Sequence, residues 1–116
     1  MVIVYGYNRC STVKKALKFL KDSNIEYTHI DNVDNKLSVD ELKKIHIKAN
    51  VDLKKLFNTS GISYRQLNLK EQYANLNDED RFKLLANDGK LVKRPILVTD
   101  KGVKIGFNIS EWENIL

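Results

Sequence analysis

The stretch VIVYGYNRCSTVKKALKFL, residues 2–20, contains a change of hydrophobic period from which the rest of the chain can be placed. Val2 to Tyr5 is a short β-branched and aromatic run stopped by Gly6, which reads as a buried strand followed by a turn. From Ser11 to Ser23 the apolar residues Val13, Ala16, Leu17 and Leu20 recur at helical spacing, with Lys14, Lys15, Lys18 and Lys21 largely on the other side. Asp22-Ser23-Asn24 ends that helix, and Ile25 to Ile30 reads as a second strand. Strand, helix and strand in so short a span imply a right-handed βαβ unit with its two strands parallel.

Beyond this unit the chain turns helical. Ser38-Val39-Asp40-Glu41 is a capping box opening a helix whose apolar stripe is Val39, Leu42, Ile45 and Ala49. The stretch from Asp52 reads as a further short helix burying Leu53, Leu56 and Phe57. Asn77 caps a helix with Phe82, Leu85 and Ala86 inward, and Asn87-Asp88-Gly89 supplies a left-handed stop. Together these form a helical insert over about residues 38–88. Pro95 to Val98 and Val103 to Ile105 then flank Asp100-Lys101-Gly102, a hairpin signal, and Asn108 to Leu116 closes the chain as a helix packing Ile109, Trp112 and Ile115. The order β-α-β, helices, β-β-α describes an α/β fold, a mixed four-stranded sheet flanked by helices.

The 116 residues, 42% hydrophobic and 30% charged, fit a single domain over 1–116 and leave no room for two independent cores. No apolar run approaches the roughly 20 residues a membrane helix needs, and the start, MVIVYGYNRC, lacks a secretory apolar region, so a cytoplasmic protein without a membrane partner is expected. Cys10 is the single cysteine, which excludes an intrachain disulfide and a multi-cysteine zinc site. His29 and His46 are too few and too far apart in sequence to suggest a metal centre. Any disulfide chemistry must therefore involve a second molecule.

The 20 Lys and Arg residues against 15 Asp and Glu give a net charge of +5, which permits anionic partners without demonstrating one. Lys14-Lys15, Lys43-Lys44, Lys54-Lys55 and Lys93-Arg94 are dispersed and mixed with acids. That is the pattern of solvated helix faces rather than of a nucleic-acid stripe, and no direct nucleic-acid binding is expected.

Cys10 lies where the loop after the first strand enters the first helix, so its sulfur faces unpaired backbone N–H groups and the positive end of the helix dipole. Arg9, Lys14 and Lys15 add positive charge, and all of this favours thiolate over thiol, making Cys10 a candidate nucleophile. A dithiol motif would place its second cysteine one turn along, but the four residues are Cys10-Ser11-Thr12-Val13, and Val13 cannot resolve a disulfide. The hydroxyls of Ser11 and Thr12 are candidates to donate to a thiolate or a bound oxyanion, or to cap the helix. Pro95, the only proline, starts the third strand directly after Arg94, whose guanidinium is either a surface group or, beside a thiolate, a bidentate oxyanion ligand.

Three segments carry a resemblance. Tyr5 through Thr12, Leu53-Lys54-Lys55-Leu56-Phe57-Asn58-Thr59-Ser60-Gly61 through Tyr64, Leu67 and Asn68, and Lys93-Arg94-Pro95-Ile96 followed by Gly106-Phe107 together resemble the arsenate reductase (ArsC)/Spx family over nearly the whole chain. The resemblance implies a thioredoxin-like fold with a helical insert, a cysteine at a helix N-terminus and a cis-proline facing it. Arsenate reductases of this family use a cysteine and three arginines. Cys10 and Arg94 match two of those positions, while the other two hold Asn58 and Phe107. Spx-type regulators, which look like binders of the RNA polymerase α subunit, carry a Cys-x-x-Cys motif and a basic tail after the last helix, where this chain has Val13 and ends at Leu116.

The function expected on this basis is monothiol thiol–disulfide exchange. Cys10 would be the catalytic residue, with Ser11, Thr12, Arg94 and the backbone beside Pro95 holding the substrate, a small-molecule thiol or a protein thiol or disulfide. No bound cofactor is expected, and an external low-molecular-weight thiol or a thioredoxin- or glutaredoxin-type reductant would resolve the mixed disulfide. The alternatives are an Spx-like regulator that binds RNA polymerase and a weak, thiol-dependent arsenate reductase.

Overall fold

Side chains alternate along the strands, so a short strand can serve two cores at once, one on each face of its sheet. The computed structural model describes residues 1–116 and contains one such sheet. Its strands are β1 (Val2–Tyr5), β2 (Thr28–Ile30), β3 (Ile96–Thr99) and β4 (Gly102–Ile105), in the spatial order β2-β1-β3-β4. β1 pairs parallel with β2, through Ile3 with Thr28 and Tyr5 with Ile30, and antiparallel with β3, through Val2 with Thr99 and Tyr5 with Ile96. β3 and β4 form the expected hairpin.

Six helices cover the sheet: α1 (Ser11–Asp22), α2 (Val39–Ala49), α3 (Ile62–Gln66), α4 (Leu69–Gln72), α5 (Asp78–Asn87) and α6 (Ile109–Glu113). Val4 of β1 and Leu97 of β3 join Ala16, Leu20, Trp112 and Ile115 under α1 and α6. Ile96 and Val103 join Leu42, Ile45, Leu56, Phe57, Phe82 and Leu85 on the opposite face, under the helical insert. The mixed four-stranded sheet flanked by helices is thus the fold, with the insert forming the larger of the two cores.

Four local expectations change in the folded chain. β2 begins at Thr28 rather than Ile25, because Asn24 takes a left-handed φ of 57° and the Ile25 N–H donates back to the Leu20 carbonyl of α1. The stretch from Asp52 forms a 3-10 turn over Leu53–Leu56, with Leu53, Leu56 and Phe57 buried as expected, and the insert also contains α3 and α4, two helices too short to show a period. α5 does not end on a left-handed stop. Asp88 is extended and caps the next 3-10 turn, Gly89–Leu91, while Gly89 is small because any Cβ there would collide with the Asn32 carbonyl. Ile109 turns outward at 48% exposure, because the single short turn of α6 directs Trp112 to the core and leaves no second apolar row.

Candidate functional site

The βαβ crossover brings the end of β1 and the start of α1 next to the chain that enters β3. Gly6, buried at the end of β1, donates its N–H to Ile30 O, and a Cβ on it would approach Val13 Cγ2 to 2.6 Å. Val13 is fully buried in that contact. The position that would hold the second cysteine of a dithiol motif is therefore the packing residue that seats α1 on β1. The loop between them is pinned by Asp31, whose carboxylate accepts the N–H groups of Asn8 (3.1 Å) and Val33 (2.8 Å), and by His29, whose Nε2 lies 2.8 Å from Gly6 O. Burial works against the Asp31 carboxylate, but the N–H groups of Asn8, Val33 and Asp34 and the nearby His29 bring its pKa below the ordinary value.

Cys10 is the N-cap residue of α1, half-buried, with extended backbone angles and its carbonyl already accepting from Lys14 N. Its Sγ makes no cap hydrogen bond within ordinary limits, so the first N–H groups of the helix act on it as oriented dipoles. Burial pushes the thiol pKa up. The Val13 N–H, the Arg94 guanidinium, the Thr12 N–H and the charge of Arg94 outweigh burial, and the pKa lies below that of an ordinary thiol.

Arg94 is held from two directions. One terminal nitrogen donates to Lys90 O at 3.0 Å, and the guanidinium carbon lies 5.7 Å from the centre of the Tyr7 ring. The Lys90 ammonium approaches the same ring at 5.4 Å, so Tyr7 carries two cations at the rim of the thiol. The Arg94-Pro95 bond is cis. Pro95 O accepts from Gly106 N at 2.7 Å, whereas the N–H and C=O of Arg94 take no part in the backbone hydrogen bonding.

Of the residues singled out from sequence, the fold brings Cys10, Arg94 and Pro95 to one place through the β1–β3 pairing. Ser11 and Thr12 are exposed on the first turn of α1, and neither hydroxyl caps the helix, since Cys10 itself occupies the cap position. Tyr7, Asp31 and Lys90 were not anticipated. Asp31-Asn32 carried a turn signal at the end of β2, whereas nothing local marks Tyr7 or Lys90 as neighbours of Arg94. Phe107 is aromatic packing, with its ring centre 5.0 Å from that of Trp112 and 5.9 Å from that of Phe19. Asn58 is half-buried beside Gly61, its backbone N–H donating to Leu91 O.

The model of the ArsC family matches residues 5–115. The chain belongs to the ArsC family. A solved structure of an ArsC family related protein from Bacteroides fragilis is 42% identical, with a TM-score of 0.94 over 99% of this chain and 97% of the other. The arsenate reductase from Vibrio cholerae superposes with a TM-score of 0.89 at 26% identity, covering 99% of this chain and 97% of that one. The global transcriptional regulator Spx 2 of Bacillus anthracis is 30% identical over 116 residues, all of this chain and 87% of the relative. The likeness thus extends to proteins named for catalysis and to proteins named for regulation, all on the thioredoxin-like architecture that this ArsC member shares. No helix of the chain is long and apolar enough to cross a membrane.

Proposed function

We propose that this ArsC-family protein is a monothiol thiol–disulfide exchange protein acting through Cys10. The observation that carries the reading is a half-buried cysteine at an uncapped helix start, its pKa lowered by N–H groups and Arg94, with a buried valine in place of a resolving thiol. In the first step the Cys10 thiolate attacks one sulfur of a substrate disulfide. A Cys10–substrate S–S bond forms, the substrate S–S bond breaks, and the departing thiolate takes up a proton from water. In the second step an external thiol, a low-molecular-weight one or that of a thioredoxin- or glutaredoxin-type reductant, attacks the substrate sulfur of the mixed disulfide and releases Cys10 as thiolate. Arg94, with the Ser11 and Thr12 hydroxyls, holds an anionic group of the substrate, and the unpaired N–H and C=O of Arg94 beside Pro95 pair with an extended substrate backbone. Such chemistry suits a reducing cytoplasm.

Arsenate reduction is the weaker reading, since Asn58 and Phe107 stand where the family's reductases have arginines and the Phe107 ring is committed to Trp112 and Phe19. The full-length similarity to Spx 2 supports a second reading, binding to the RNA polymerase α subunit. Trapping in cells decides between them. Mixed disulfides on Cys10 identified by mass spectrometry are the expected result, together with no intrachain disulfide in the oxidised pure protein. Recovery of polymerase from extract by Cys10→Ser as well as by wild type, with no trapped disulfides, would overturn the exchange reading in favour of regulation.

A further inference from the structure

A groove on the helical insert lies outside the thiol site. Two adjoining cavities, of about 440 Å³ and about 420 Å³, share Lys54 and Thr59 as their common wall. The first is bounded also by Arg65 and Lys70, the second by Lys55 and Lys93. None of these cations takes part in an ion pair, since the salt bridges are Met1–Asp100, Lys18–Asp22, Lys43–Glu79 and Arg81–Asp78. Asp52 is the one acid on the lining, and its carboxylate is engaged in accepting the Lys54 N–H at 3.0 Å. Five cations, Lys54, Lys55, Arg65, Lys70 and Lys93, thus face one carboxylate, and the groove is a strip of excess positive charge over a floor of Phe57 and Tyr64, whose ring centres lie 6.4 Å apart.

The floor is joined to the thiol site by the backbone. Lys93 N donates to Leu56 O at 2.7 Å, Asn58 N donates to Leu91 O at 2.7 Å, and Phe57 bridges Val92 between them. The chain that closes the groove continues directly into Arg94 and Pro95. Lys93 lines the groove while Arg94, one residue on and roughly 3.8 Å away along the chain, reaches toward Tyr7 and Cys10. The groove and the thiol site are thus built on consecutive residues of one segment.

We propose that this groove docks an acidic segment of the protein whose disulfide Cys10 exchanges, an inference that rests on the exchange reading above. The charge, and the segment that the groove shares with the thiol site, point to a protein partner. Flexible lysines around an open cavity suit several carboxylates spaced along a peptide, and long-range attraction of this sign raises encounter rates by about 10 to 1,000-fold. The groove offers a nucleic-acid strand no base stacking on these two rings, since Phe57 and Tyr64 are 2% and 6% exposed.

The test uses a short peptide with one cysteine activated as a neutral pyridyl disulfide and four flanking aspartates, beside a matched peptide with asparagines. The Cys10 thiolate attacks the peptide sulfur, a protein–peptide S–S bond forms, and thiopyridone leaves as a chromophore. At low salt the acidic peptide is expected to react on the order of tenfold faster than the neutral one with wild type. The preference should shrink at high salt and vanish in Lys54→Glu/Lys55→Glu/Lys93→Glu. The milder Lys54→Gln/Lys55→Gln pair, in which only exposed side chains lose charge, should reduce it. Equal rates for the two peptides with wild type, or a preference unchanged in the lysine variants, would overturn the proposal.

Dipyridyl disulfide, small and neutral, reads the thiol chemistry alone, and its failure to react would sink the exchange reading rather than the docking. Docking is then read by anisotropy of the labelled acidic peptide on Cys10→Ser. Saturable binding weakened by the lysine substitutions supports it, and absence of binding overturns it. Tighter binding of an oligonucleotide of equal charge also overturns it, assigning the groove to nucleic acid.

Discussion

The N-termini of α1 and α2 begin helices of nearly equal length, 12 and 11 residues, and are finished in opposite ways. At α2 the Ser38 hydroxyl accepts from Glu41 N at 3.1 Å, the Glu41 carboxylate accepts from Ser38 N at 3.2 Å, and Asp40 adds a second acid to the first turn. At α1 the cap position is Cys10, no side-chain cap bond forms, the first turn holds no acid, and the Arg94 guanidinium helps to lower the thiol pKa. Closing the free N–H groups with a capping box stabilises a helix by about 1 kcal/mol per cap. Leaving them open keeps the positive end of the dipole available to an anion. One terminus serves the fold, and the other is left in the state a thiolate requires.

The largest effect that separates them is chemical. Cys10→Ser should abolish every mixed disulfide and all exchange with dipyridyl disulfide, while Ser38→Ala should leave the exchange rate unchanged; a rate lost in Ser38→Ala would mean that the two ends are not independent. Next, Arg94→Ala should slow alkylation of Cys10 at pH 7 several-fold, move the midpoint of its pH profile upward, and weaken protection of the thiol by sulfate, with little change in stability. An unchanged midpoint removes Arg94 from the site, and a wild-type midpoint at or above the free value of about 8.5 removes the nucleophile role altogether.

Stability effects are smaller. Ser38→Ala should cost about 1 kcal/mol in denaturant unfolding. Cys10→Ser, by supplying a preferred cap residue, should stabilise by on the order of 0.5 kcal/mol at pH below the native thiol pKa. That advantage should fade as pH rises. The native pKa is depressed, so wild type gains a contribution that is fully present above the unfolded value of about 8.5 and is lost as pH falls through the lowered native one. An advantage that is flat with pH would show that the helix end does not favour the thiolate. The smallest change tests the trade directly. Thr12→Glu puts an acid in the first turn of α1 and should stabilise the helix by about 0.3–1 kcal/mol while slowing alkylation at pH 7.

Much of this comparison was legible along the chain. The capping box Ser38 to Glu41, the helical spacing of Val13, Ala16 and Leu20, and the cysteine at a loop-to-helix junction are local patterns, set by backbone geometry over three or four residues. So were the β3–β4 hairpin and the missing resolving thiol at Val13. Where local patterns failed, a distant partner had intervened. Gly89 read as a helix stop, but its size is dictated by Asn32, and Ile25 read as strand although its N–H belongs to α1. Helices α3 and α4 were missed because five and four residues cannot show a hydrophobic period.

The sequence by itself thus determined the order of the strands and of the longer helices, the single thiol and its place at a helix start, because each depends on neighbours in the chain. Only the tertiary structure decided what surrounds that thiol. Parallel pairing of β1 with β2 and antiparallel pairing with β3 carry Arg94, Lys90 and Tyr7 to the rim of Cys10. The Phe57–Val92 bridge turns dispersed lysine pairs into one groove. Both results depend on strand pairing across tens of residues, and charge and hydrogen bonding act through space rather than along the backbone.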